Sequence, residues 1–586
     1  MTHLRKTRLS PRAAPGHRSA CRGLARGATL AVALGVSGCE AIEEPEQPVG
    51  LTLGALSGTA CGDPSAPAAG VNPFGAVSSV TISVTGLDRA TGRSGTLAER
   101  SVRLADGQSI VLPGIPEGAG REVIVVGEGA GGTWYGRDTG LTVRRNEDTA
   151  AAMLMAPLGS FSCVPAPEAI VDVIFPASVD LGDGRILVTG GFEEVTADGV
   201  RKPSAQAWIF DSKTGTREVL AGGLGAGFER GAHTMVLVPE AGEVVILGGA
   251  RQLTVTPSAG FPLSLDTAES RDDALVFDIA TKTFRPVEGA MRVGRAFPRA
   301  QLLADGTVIV TGGGAWPYVS SDDRYAEVDF YDHEALGGLG GFLDIPKLRS
   351  FYSRVGHSLT LVGTTSEGLS ELLIWGGSTL DRSLGNPGEV YRQSGRQREG
   401  VNGTFSEVCI TSSTGQAPNF LYFHETTRLG DNRFLVTGGV IPGAGDTLQA
   451  PAADEAWILT YYPEVSDTVC PRGRVIQADR VAGFGPGRVF HSATSSDGRH
   501  VSVVGGWAGL SQLTGTSTVM TFDRAQLGGT PWRNEAATSA MRGGHAAVVT
   551  PSGFVFLAGG SADLQSGGVR GRITAEIWAP PGLPRP

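Results

Sequence analysis

Seven times in this chain a run of apolar residues ends in two glycines: Gly190–Gly191, Gly248–Gly249, Gly312–Gly313, Gly376–Gly377, Gly438–Gly439, Gly505–Gly506 and Gly559–Gly560. Successive pairs are 58, 64, 64, 62, 67 and 54 residues apart. A repeat of this period with variable insertions marks stacked units, because one unit cannot bury its apolar faces alone. Each unit has the same internal order. A first strand, such as "HTMVLV" at His233–Val238, runs into a two-residue turn. The turns are Asp-Gly at Asp183, Asp305 and Asp497, Ser-Gly at Ser552 and Asp-Asn at Asp431, pairs that accept the positive φ of a tight hairpin. A second apolar strand ends in the double glycine. A variable loop follows, with long inserts such as Gln252–Arg271 and Leu380–Gly403. A third strand carries an aromatic, as in "AWIFD", "ALVFD", "EVDFYD", "VMTFD" and "AEIWAP". A weak fourth strand shows in "TFRPV" and "EVCIT". The 86 glycines, with no collagen-like period and no long amphipathic pattern, agree with many short strands joined by tight turns.

Hairpin, double glycine, aromatic strand and outer strand together resemble the kelch repeat over residues 164–586. The resemblance implies an all-β chain whose larger part is a seven-bladed kelch-type β-propeller. Two features depart from the family: the spacing exceeds the usual ~50 residues, and the fourth-strand tryptophan is mostly missing. The last unit stops after its third strand, so its outer strand is expected from Ser160–Val164, closing the ring. Residues 51–163 read as a separate small β-sandwich of six-to-ten-residue strands. "LPGIPEG" and "WYGRDTGLTV" there loosely resemble prealbumin- or immunoglobulin-like modules.

Residues 1–38 carry seven basic residues ahead of "ATLAVALGV" and end in "VSGCE". The pattern resembles a bacterial lipoprotein signal peptide. It implies cleavage before Cys39 and lipid on its sulfur, which would anchor the chain to a membrane. Glu40 then points to an outer-membrane lipoprotein, periplasmic or surface-exposed. Residues 39–50 read as an acidic tether. Losing the leader takes the net charge from −10 to −17, which argues against nucleic acid as a partner. Cys61, Cys163, Cys409 and Cys470 remain, an even number suited to disulfides in an oxidising compartment. Three pairings are open. Cys61 and Cys163 flank the sandwich, and Cys409 and Cys470 fall at equivalent outer positions of adjacent units, which favours these two pairs.

A histidine heads the first strand in five units: His233, His357, His424, His491 and His545. Arg230, Arg354, Arg488 and Arg542 stand three residues before four of them, and Arg295 precedes Pro298 in a fifth place. First strands lie nearest a propeller axis, so these groups are candidates for a polar ring at a channel mouth. Such a ring would hold an anionic or glycan ligand. The competing reading makes them repeat-defining, each bonding a neighbouring blade's backbone or carboxylate. Repetition in nearly every unit favours that reading. "YDHEA" (Asp332, His333, Glu334) and "FHETTR" (His424, Glu425) put adjacent residues on opposite sides of a strand, so neither is a metal clamp. "GEGAGG" at Gly127–Gly132 leads into another strand and reads as a hairpin, not a nucleotide loop. A galactose-oxidase-like copper site needs specific tyrosines, histidines and a cysteine at loop positions; the cysteines beyond the leader lie at outer positions, and the sequence assigns no such tyrosines. No metal and no cofactor are expected. The sequence thus suggests a binding module that takes a protein or glycan through its loops. The alternatives are a carbohydrate-active enzyme, oxidase or hydrolase, and a structural component of an envelope assembly.

Overall fold

The computed structural model describes residues 46–585 apart from 56–76, 89–91, 104–109, 315–322, 378–386, 464–473, 565–574 and some shorter loop stretches. The fold is all-β and propeller-like. The repeat forms four-stranded antiparallel sheets in which the second strand, the one ending in Gly-Gly, pairs with both the first and the third. In the first sheet these strands are Ala177–Asp180, Arg185–Thr189, Ala207–Asp211 and Arg217–Val219. The first strands of the later sheets are Thr234–Val238, Arg299–Leu302, Ser358–Thr364, Glu425–Gly430, Ser492–Thr494 and Ala546–Val549. They contact one another in chain order, and Ala546–Val549 also contacts Ala177–Asp180 of the first sheet.

Backbone chemistry explains the double glycines. Both members of every pair have positive φ, a region that glycine enters without a Cβ penalty. A Cβ on Gly190 would stand 2.3 Å from the carbonyl oxygen of Arg230, and one on Gly438 2.4 Å from that of Arg488. The second glycine donates its N–H to the same oxygen, Gly191 to Arg230 at 2.9 Å and Gly439 to Arg488 at 2.8 Å. That oxygen lies on the segment entering the next sheet, so each pair hooks one sheet to its successor. Gly560 makes the same bond to Val173 at 2.8 Å, joining the seventh sheet to the first.

The N-terminal module has seven strands: β1 (Glu46–Ala55), β2 (Val77–Asp88), β3 (Arg93–Arg103), β4 (Ile110–Pro116), β5 (Gly118–Gly129), β6 (Gly132–Val143) and β7 (Thr149–Pro157). Their order is β3-β2-β5-β6-β7-β1-β4, with β1 and β7 parallel. Side chains alternate along β5 to β7. Val123, Val125, Trp134, Met153 and Met155 fill the module's own core. Ile124, Tyr135, Leu154 and Ala156 face the other way and share a core with Trp208, Phe210, Phe554 and Phe556 of the repeat sheets.

Three boundaries differ from those read in the sequence. β1 begins at Glu46, inside the expected acidic tether, because Val49 and Leu51 are buried in the module core. Ser160–Val164 is β8, antiparallel to Ala575–Ala579, the outer strand expected for the last unit, so the module ends before residue 160 rather than at 163. The stretch read as an insert at Leu380–Gly403 contains a third strand, Gly388–Gln393. One pairing was not anticipated. The outer strands Gly403–Thr411 and Arg474–Arg480 run parallel to each other, merging the fourth and fifth sheets into one of eight strands.

Candidate functional site

The arginines and histidines singled out in the sequence are structural clasps, the arginines within their own unit and the histidines onto the preceding sheet. Arg230, Arg295, Arg488 and Arg542 are fully buried and Arg354 nearly so. Each donates through Nη1 to the carbonyl of the first glycine of its own unit: Gly248 at 3.0 Å, Gly312 at 2.7 Å, Gly376 at 2.6 Å, Gly505 at 3.2 Å and Gly559 at 3.3 Å. Four guanidiniums also meet a carboxylate one strand away: Arg230–Asp273 (3.2 Å), Arg295–Asp329 (2.9 Å), Arg354–Glu389 (2.9 Å) and Arg542–Glu576 (2.8 Å). Arg488 meets the Thr518 hydroxyl instead, at 3.0 Å, and burial pushes its pKa down to about 10. The histidines reach backwards. His233, His357 and His491 bond the hydroxyls of Thr189, Thr311 and Thr437 on the preceding sheet at 2.8, 2.9 and 2.9 Å. Trp375 and Val504 occupy the threonine position in two units, and there His424 and His545 bond Ser358 and Ser492 at 3.1 and 2.9 Å. Burial and nearby arginine charge hold all five imidazoles neutral; the pKa falls to about 3 for His233, His424 and His545.

The residue just before the histidine slot, which the sequence reading passed over, builds the axis. Phe175, Ala232, Phe297, Gly356, Phe423, Phe490 and Gly544 occupy it, and all seven have φ between 53° and 67°. For phenylalanine that conformation costs of order 1 kcal/mol or more and persists only where the surroundings enforce it. Two features enforce it here. Backbone bonds pass from sheet to sheet around the axis: Phe175 N–H to Gly544, Ala232 to Phe175, Phe297 to Ala232, Phe423 to Gly356 and Gly544 to Phe490, at 2.7 to 3.0 Å. The four phenyl rings then meet, with centroids 4.4 Å apart for Phe423–Phe490 and 4.8 Å for Phe175–Phe490, and Trp507 packs at their edge. The only early signal was the pairing of phenylalanine with the next residue, in "FP" and "FH".

Against this aromatic plug lies a cavity of about 150 Å³. Its charged lining residues are Arg299 and Glu425, from the third and fifth sheets, 3.5 Å apart. The Arg299 Nε donates to the His357 carbonyl at 3.1 Å, which fixes the guanidinium. Burial raises the Glu425 pKa, and Arg299 opposes the rise. His424 and Glu425 therefore point to different places, one into a clasp and one into the cavity. Asp332 and Glu334 both pair with Arg398. Among the described residues no group of three His, Cys, Asp or Glu could hold a metal. Gly129 pairs with Gly132 across the β5–β6 turn, so the "GEGAGG" stretch is a hairpin. Cys163 and Cys409 lie on outer strands; Cys39, Cys61 and Cys470 are outside the described residues.

The inserts all begin at the double-glycine ends of the second strands, the same end of the sheets as the plug. Parts of four inserts form short strands. Phe192–Val195 and Val200–Pro203 join Leu253–Val255 and Leu263–Ser264, Ile441–Pro442 pairs with Leu448–Gln449, and Trp507–Ala508 with Thr514–Gly515.

No protein-family model matches this chain, and no curated protein does. Solved structures similar to it include a novel fungal alcohol oxidase of the AA5 family in complex with copper, at 16% identity and a TM-score of 0.47, covering 72% of this chain and 76% of that one. Another is YjhT, at 11% identity and a TM-score of 0.34, covering 70% of this chain and 95% of that one.

Proposed function

We propose that the chain is a lipid-anchored envelope protein whose seven-bladed kelch-type propeller binds a protein or glycan at the face where its inserts emerge. One observation carries this reading: inserts of unequal length all leave from the double-glycine ends, over sheets held together by repeated clasps. Variable loops on a rigid frame are the usual arrangement for recognition. The lipid at Cys39 and the outer-membrane address rest on the leader. The Cys61–Cys163 and Cys409–Cys470 pairings belong to the same proposal.

The test uses the mature chain with Cys39→Ala, probed against a glycan array and against fractionated envelope proteins. Replacing residues 256–262 and 443–447 by short Gly-Ser links abolishes binding and leaves the unfolding temperature unchanged. Binding that survives the loss of these inserts sinks the proposal.

Glu425 favours a second reading, a carbohydrate-active enzyme. A carboxyl whose pKa burial raises, set inside a cavity, is suited to general-acid work. A hydrolase activity abolished by Glu425→Gln would establish it.

A further inference from the structure

At the end of the sheets opposite the double glycines, a groove of about 700 Å³ runs between the fourth and fifth sheets. Two β-bulges lie along it. The pairing of Ser358–Thr364 with Ser370–Trp375 shifts between Leu361 and Gly363, and that of Glu425–Gly430 with Arg433–Thr437 shifts between Arg428 and Gly430. In the other five sheets the described pairing of first and second strands keeps an unbroken register. A bulge re-aims the side chains beside it, and bulges concentrate near functional sites.

Here the side chain re-aimed is Arg428. It is exposed, and its Nη2 reaches across to within 3.9 Å of where a Cβ on Gly363 would sit. Among the described residues no carboxylate pairs with it. Arg392 lines the same groove, its Nε 3.5 Å from Glu371. Glu371 is buried and already accepts a hydrogen bond from the Tyr461 hydroxyl at 2.7 Å. Arg474 donates a 2.6 Å bond to the carbonyl of the groove residue Pro463, and its charge acts on Tyr461 together with that of Arg392. Arg392 and Arg428 thus line the groove with Glu371 as its one carboxylate, in a chain of net charge −10.

We infer that this groove binds an oxyanion, a carboxylate, sulfate or phosphate, carried on a molecule of sugar size or larger. Guanidinium forks match the oxygen spacing of such groups. The volume lies in the range of sites that take whole small molecules rather than bare ions. The site is distinct from the insert face, and its test does not depend on what binds there.

Titration calorimetry on the mature chain compares three probes: an oligogalacturonate, a neutral galacto-oligosaccharide of equal length and inorganic sulfate. The oligogalacturonate binds, the neutral sugar does not, and Arg428→Gln weakens binding at least about tenfold. Because Arg428 is exposed and unpaired, that variant keeps the parent unfolding temperature. Arg392→Gln weakens binding as well. Sulfate bound as tightly as the oligosaccharide, and lost in Arg428→Gln, keeps the site and identifies a free anion as its ligand. Equal binding of the charged and neutral sugars, unaltered affinity in Arg428→Gln, or no binding of either anion overturns the inference.

Discussion

His491 takes a hydroxyl partner on the preceding sheet and sits buried beside Arg488, so protonating it in place would put a second charge next to a buried first one. The same holds for the other four clasp histidines. Their folded pKa values lie below the unfolded value of about 6.5. The neutral form is the native one, so stability is complete above about pH 6.5 and is lost as pH falls toward the folded value, which for three of them is about 3. Each contributes at most about 1.4 kcal/mol per pH unit within that window. Glu389 and Glu425 act in the opposite sense, because burial raises them and the native state takes up their protons first. Asp180, also raised by burial, joins them; five groups outweigh three, and the unfolding temperature should drop steadily between pH 7 and pH 4.5. His491→Gln should flatten that slope; a profile level across the range would contradict the neutral-clasp assignment. The arginines give a second prediction. Arg354→Met leaves Glu389, with 0% exposure, without its guanidinium, at a cost of about 3–5 kcal/mol. In urea unfolding, Arg354→Met with Glu389→Leu should be more stable than Arg354→Met alone.

At the scale of the element, β8 is the test of closure. It pairs with Ala575–Ala579 along its whole length, although more than 400 residues separate the two strands. A chain starting at Pro165 lacks β8 and bares the edge of the last sheet; one starting at Gly159 keeps it. The first should aggregate or unfold well below the second in a thermal melt, and equal melts would show that β8 does not hold the last sheet. The strand order of the sheets was legible because it rests on local signals: alternating apolar runs, turn pairs and glycines that only a positive φ explains. The clasp residues were legible as positions and, through their repetition, as bonding groups, but not with their partners, which are backbone oxygens, carboxylates and hydroxyls many residues away. The strand Gly388–Gln393 escaped because its buried Glu389 and Gln393 break the apolar pattern. Phe175, Phe297, Phe423 and Phe490 escaped for a different reason. A left-handed phenylalanine runs against local propensity, and only the ring of backbone bonds around the axis imposes it. The groove between the fourth and fifth sheets depends on two register shifts, which appear only once strands are paired.

Across the whole described chain, the N-terminal module and the repeat sheets share a core rather than a wet interface. Tyr135 is fully buried, with its ring centroid 6.1 Å from that of Phe554. Beside it Lys213 pairs with the buried Asp138 at 2.7 Å, and Ser552 donates to the carbonyl of Arg137 at 2.8 Å. Linked domains with small polar interfaces move and melt separately. An apolar contact of this kind, drawn from β5, β6 and β7 at once, couples them instead. The chain should therefore unfold in a single calorimetric transition despite its length. Tyr135→Ala removes the aromatic from the centre of that contact and should cost about 3 kcal/mol or more, lowering the one transition as a unit. Two resolved transitions in the parent chain, with only one moved by Tyr135→Ala, would mean that the shared core joins the two parts without making them fold together.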